Sequence, residues 1–258
     1  MTIRSVTTTH ARELRTAGGL MLAGAVLSVI TNMLHPHQDI DTEQFMDEVT
    51  ASSAWIPLHL GICIAAFLNL AGMLMIGRVL TTDRRSPAVT VADGAAVVAC
   101  AVMIVLMGVD GFTTKHYADY FTKTQGQEHA MAYPTAYLIL LLLLAGLGQW
   151  YALYLGVAMP LYSREMLRQR SVPGWLAHLG IWTGLCALVT GALIYTLGAS
   201  FLVTTLMFLV FSSLGFLWQL LVGVVYWRRG TQSLTGATGR PTKADSVGAG
   251  TQIEGGSS

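Results

Sequence analysis

The chain has 258 residues, 53% of them hydrophobic and only 11% charged, with a net charge of +1. Its mean hydropathy is +0.56. A soluble domain carries about 25% charged residues, so this composition excludes a water-facing polar shell. Near-neutral charge gives no basic surface for nucleic acid, and none is expected as a partner. Several apolar runs reach the ~20 residues that cross a bilayer as a helix, whereas a transmembrane barrel would show ~10-residue alternating strands. The expected fold is therefore all-α: a polytopic membrane protein with six transmembrane helices, both termini cytoplasmic, in the plasma membrane.

Residues 1–17 form a polar N-terminal segment with Arg4, Arg12 and Arg15. A transmembrane domain follows over 18–229. Its first span, Gly18 to Leu34, is stopped by Pro36. A basic start before an apolar run also suits a signal peptide, but no small-x-small cleavage site follows. The next stretch is acidic, and Thr42, Phe45, Met46 and Val49 recur at i, i+3, i+4 and i+7. That spacing predicts a short surface helix. Trp55 stands where an interfacial aromatic belongs, ahead of a second span from Ile56 to Val79.

The third span runs from Val91 to Phe112. It opens into a polar interval, Val109 to Ala130, that holds Asp110, His116, Asp119, Glu128 and His129. The fourth span starts at Tyr133 and ends at Met159-Pro160, with Tyr151 and Tyr154 read as an aromatic belt. The fifth extends from Pro173 to Leu197, and Gly198-Ala199-Ser200 connects it to the sixth. Tyr226-Trp227-Arg228-Arg229 closes the sixth. The Gly/Ser/Thr-rich stretch 230–258 reads as a disordered tail. With both termini on one side, that side receives thirteen of the fifteen basic residues. Only Lys115 and Lys123 fall opposite, and the positive-inside rule makes the basic side cytoplasmic.

This topology places five of the seven histidines, His35, His37, His59, His116 and His129, at the exoplasmic side. His35 ends span one, His59 begins span two and Asp110 ends span three. All three lie within a helical turn of one interface. Imidazole and carboxylate at one depth are ligands for a divalent transition metal, and they also serve as general acid and base. The candidate catalytic residues are Asp110 and His59. The candidate metal ligands are His35, His59, Asp110 and His116. Ionisable groups within spans face the bundle interior and mark function, which singles out Asp110 and His59 from the loop histidines. Asn69, Gln149 and Gln219 are read as interhelical hydrogen-bonding glue or as a polar path with Asp110. Asp93 is read as a helix-start carboxylate, and His178 as structural. Cys63, Cys100 and Cys186 sit in apolar runs and form no disulfide framework.

Two short elements carry a resemblance: Trp55-x3-His59 and Val109-Asp110-Gly111-Phe112. They resemble those of uncharacterised bacterial six-span integral membrane proteins. The resemblance implies the fold and no activity. The spacing Asp110-x5-His116-x12-His129 resembles the Asp/His/His copper site in the membrane subunit of particulate methane and ammonia monooxygenases.

Three functions fit the sequence. The first is a membrane-embedded enzyme acting on a lipophilic substrate, an isoprenoid among them, through an exoplasmic acid-base or metal site. It would be an acid-base cyclase or isomerase, or a metal-dependent oxidoreductase. The second is a small transporter, and the third a non-catalytic accessory subunit. The lipid bilayer is a partner in all three.

Overall fold

The computed structural model describes residues 8–35, 41–81, 86–197 and 210–238. His37, the 198–200 connection, Arg84, Arg85 and the tail from 239 onward lie outside the described residues. The described part is all helix, with no strand. Five of its helices are long and apolar enough to cross a membrane. The sixth expected span, which closes at residues 226–229, lies in part outside the described residues.

Helix α1, Thr8–Leu34, begins ten residues before the expected first span. Helix α2, Thr42–Ala51, is the expected surface helix. Asp41 caps it, its carboxylate accepting from the Glu43 and Gln44 amides at 2.9 and 3.1 Å. The residues predicted for its apolar face, Thr42, Phe45, Met46 and Val49, are the ones it buries. Helix α3 is Trp55–Leu80.

Helix α4, Pro87–Gly108, does not end in a loop. It widens into a π-helical segment, Val109–Thr114, and continues as α5, Lys115–Phe121. The polar interval is thus helical for most of its length, where a loop was expected. Lys115 supplies one reason. Its Nζ donates to the Val49 and Thr50 carbonyls at 3.0 and 2.7 Å and to Asp119 at 3.1 Å. One ammonium caps the end of α2 and forms an i,i+4 pair on α5.

After a turn, α6 runs Gly126–Trp150. A second π-helical segment follows at Tyr151–Ala158, then α7, Met159–Gln169. Pro160 was expected to stop this span, yet the helix passes through it. A proline has no N–H to donate and its ring crowds the preceding turn; a wide π turn just before it relieves both constraints. The whole run, Gly126–Gln169, is 44 residues, about 66 Å at 1.5 Å per residue, so it overshoots a ~30 Å hydrocarbon core. It ends on Arg170, at φ 53°. The Ser171 amide donates to the Met166 carbonyl, and the Arg170 amide to Leu167. This Schellman turn ordinarily takes glycine at that position.

Helix α8 is Gly174–Leu197 and α9 is Ser212–Thr238. α9 passes Arg229 by more than two turns, into the stretch read as tail. Glycines set how closely α9 and α1 approach. A Cβ on Gly223 would stand 3.0 Å from the Leu22 backbone nitrogen, and one on Gly230 2.5 Å from that of Arg15. Such small-residue contacts are how membrane helices pack without a hydrophobic drive.

Two apolar cores result. One joins α1, α3, α4, α7, α8 and α9 around Met73, Tyr162, Trp218 and Tyr226. The other lies under α2 and joins α3, α4, α5 and α6 around Phe45, Trp55, Met107 and Phe121.

Candidate metal centre

Trp55 opens α3 and sets the geometry at the α2 end of the bundle. Its indole Nε1 donates to the Asp110 carbonyl at 2.7 Å. Its own carbonyl accepts from His59 Nδ1 at 2.6 Å, one helical turn on. A carbonyl cannot donate, so Nδ1 is the protonated nitrogen of His59. That leaves Nε2 to face the site.

His59 Nε2 lies 3.0 Å from Asp110 Oδ2 and 3.3 Å from His35 Nε2. Ligand atoms of all three residues fall within 4.8 Å of one another. His59 is 1% exposed and Asp110 3%. Asp110 Oδ1 is buried with no hydrogen-bond partner. His35 closes the set from the end of α1 and is half-buried. Its ring packs on Trp55 at 4.9 Å and on His59 at 5.0 Å between centroids. Phe45 of α2 meets the other side of Trp55 at 6.0 Å.

The π-helical segment carries Asp110, and such segments recur at functional sites because the extra residue re-aims side chains. Thr114 Oγ1 donates to the Val109 carbonyl at 3.0 Å, one wide turn back. Gly111 lets α3 close against this turn: a Cβ there would stand 2.7 Å from His59 Cβ.

Among the described residues, His35, His59 and Asp110 are the one group of three ligating side chains that converges. His116 does not join it. It lies on the exposed side of α5, because the segment expected to be loop is helical and turns it outward. His129 is engaged elsewhere, with Glu43 at 3.5 Å, Thr124 at 3.1 Å and the Phe121 ring at 4.4 Å. The Asp110, His116, His129 spacing therefore does not make a site here.

Other readings also change. Gln149 is exposed, so it shares no interior path with Asn69 and Asp110. Asn69 is buried and donates to Ser28 Oγ at 3.3 Å, as interhelical glue does. Tyr151 and Tyr154 are not a belt. They are 3% and 5% exposed; Tyr151 bonds Ser212, and Tyr154 stacks on Trp150 at 5.2 Å. The second π turn rotates this stretch inward. Asp93 accepts a hydrogen bond from the Tyr162 hydroxyl, linking α4 to α7, and His178 is exposed.

Sequence reasoning missed the structural part of Trp55. Its position one turn before His59 was visible, but its hydrogen bond to the Asp110 backbone, 55 residues away, was not. No protein-family model, curated protein or solved structure matches this chain.

Proposed function

We propose that this integral membrane protein holds a divalent transition metal on His35, His59 and Asp110, and acts as a membrane-embedded enzyme on a lipophilic substrate. One observation carries the reading. With Nδ1 protonated, His59 presents a lone pair at Nε2 to a carboxylate oxygen at 3.0 Å and to a second imidazole nitrogen at 3.3 Å. Lone pairs gathered this closely in a buried place are stabilised by a shared metal ion or a proton, and three potential ligands favour the metal.

The two separations measured from His59 Nε2 fit a shared metal ion. Two ligands at ~2.1 Å from a metal stand about 3.4 Å apart at tetrahedral angles and about 3.0 Å at right angles. The supporting contacts are those of ligating histidines, whose second nitrogen donates to a backbone carbonyl. Zinc, iron and manganese suit two imidazoles and one carboxylate, and such a set leaves coordination positions open. A metal held there would polarise a substrate oxygen or activate water. Trp55 would hold both the His59 tautomer and the Asp110 backbone. The bilayer supplies the substrate class: a lipophilic molecule, an isoprenoid among them, arriving at the His35 edge. We also infer six crossings with both termini cytoplasmic, as the arginine distribution supports.

A second reading has its own support. The His59–Asp110 contact alone is a buried ion pair if Nε2 carries a proton, which would serve acid-base chemistry without metal. Metal analysis of the purified full chain separates the two. The metal reading expects one equivalent per chain, lost in Asp110→Ala and His59→Ala. Wild-type protein that stays metal-free after incubation with zinc, iron(II) and manganese would sink it and leave the acid-base pair.

A further inference from the structure

At the opposite end of the bundle, α1, α3 and α9 meet around a cavity of about 490 Å³. Its lining is divided by chemistry. Leu14, Val79 and Leu80 form an apolar wall, while His10, Arg229, Gln232 and Ser233 supply polar groups. Gln169, Ser171 and Tyr226 complete it, but they are committed to protein: Gln169 donates to the Leu80 carbonyl and Glu165, and Tyr226 donates to Ser171 Oγ at 3.0 Å.

No carboxylate among the described residues lines this cavity. Glu13 stands 4.0 Å from His10 and is 43% exposed, and Glu165 is held by Gln169 and Arg168. Arg229 pairs with no carboxylate among the described residues. Its neighbour Arg15 is engaged differently, with its guanidinium over the Trp227 ring at 4.8 Å. The cavity therefore offers the Arg229 guanidinium and the Ser233 hydroxyl above an apolar floor.

It also stands at the arginine-rich end, beside Arg12, Arg15 and Arg228 of the same two helices. A planar guanidinium engages two oxygens of an oxyanion at once, and the phosphodiester is an oxyanion that every phospholipid supplies. Basic recesses between membrane helices on this side take anionic headgroups.

We propose that this cavity binds the phosphate of an anionic phospholipid, with Arg229 as its principal contact. Ser233 stands beside Arg229 on the same helix. Leu14, Val79 and Leu80 receive the glycerol and the first methylenes of the acyl chains. The volume lies within the range of small-molecule sites. The site is independent of the metal centre, so either can fail without the other.

The test is native mass spectrometry of the full chain in detergent, titrated with phosphatidylglycerol or with phosphatidylcholine. Phosphatidylglycerol is expected to bind at least about fivefold more tightly, the factor one basic residue contributes near a membrane surface. Arg229→Gln removes that preference, and Arg229→Lys keeps part of it. Arg164→Gln changes affinity less than about twofold: it deletes the same charge from an exposed position that does not line the cavity.

Inorganic phosphate serves as competitor. Persistence at millimolar phosphate is expected and assigns the cavity to the lipid diester; displacement would assign it to free phosphate and overturn the lipid reading. Equal affinity for the two lipids, or equal losses in Arg229→Gln and Arg164→Gln, would overturn the proposal.

Discussion

The two ends of the bundle hold their acids in opposite ways. At the α2 end, acceptors are brought together: His35, His59 and Asp110 converge, and Asp110 Oδ1 is left without a donor. At the arginine end, buried acids are satisfied. Glu165, 3% exposed, accepts from Arg168, Gln169 and Ser86, and Asp93 accepts from Tyr162. A satisfied network stabilises the fold by itself, whereas an under-satisfied buried cluster is kept for what it binds. A cation on His35, His59 and Asp110, as proposed above, would account for the difference.

The sharpest way to break this contrast is to remove a ligand. Asp110→Ala is expected to lower metal affinity by more than the ~10–100-fold that loss of a supporting contact costs, measured by metal titration of stripped protein. Next comes the packing that holds His59. Gly111→Ala pushes a methyl into His59 and is expected to weaken binding about 10–100-fold, whereas Gly108→Ala, with open space around the new carbon, leaves it unchanged. Equal effects of the two alanines would show that His59 is not positioned by the π turn.

At the other end, Glu165→Gln breaks an acid network that has no open atom. A fall of about 2–4 °C in Tm is expected with metal content intact, a range typical of single destabilising changes in chains of this size. Loss of metal in that variant would mean the two ends are coupled. The smallest effect belongs to Arg170→Gly. It relieves a left-handed backbone at the α7 end and is expected to raise stability by up to ~1 kcal/mol, visible in thermal unfolding.

Much of the α2 end was legible in the sequence. Its spacing gave α2 its four buried residues, and the depth of His35, His59 and Asp110 followed from counting residues to the span ends. His116 was misplaced for a local reason. A polar run between apolar spans looks like loop, yet Lys115 and Asp119 are spaced to prolong a helix. Tyr151, Tyr154 and Pro160 were misjudged because a π turn leaves no periodic trace strong enough to read. Both errors lie beside the two π-helical segments. Hydropathy located the spans but could not say which face of each turned inward.

The π turn at Val109–Thr114 has a genealogical consequence. Such a turn holds one residue more than the α turn it replaces. Deleting a residue there would restore regular winding and swing all that follows by about 100°, carrying Lys115 away from the end of α2. The length of the stretch between Gly108 and Lys115 is therefore a diagnostic character. Chains of the same descent with the full count would keep the His35, His59 and Asp110 cluster, and those one residue shorter would have given it up while remaining helical membrane proteins in every other respect.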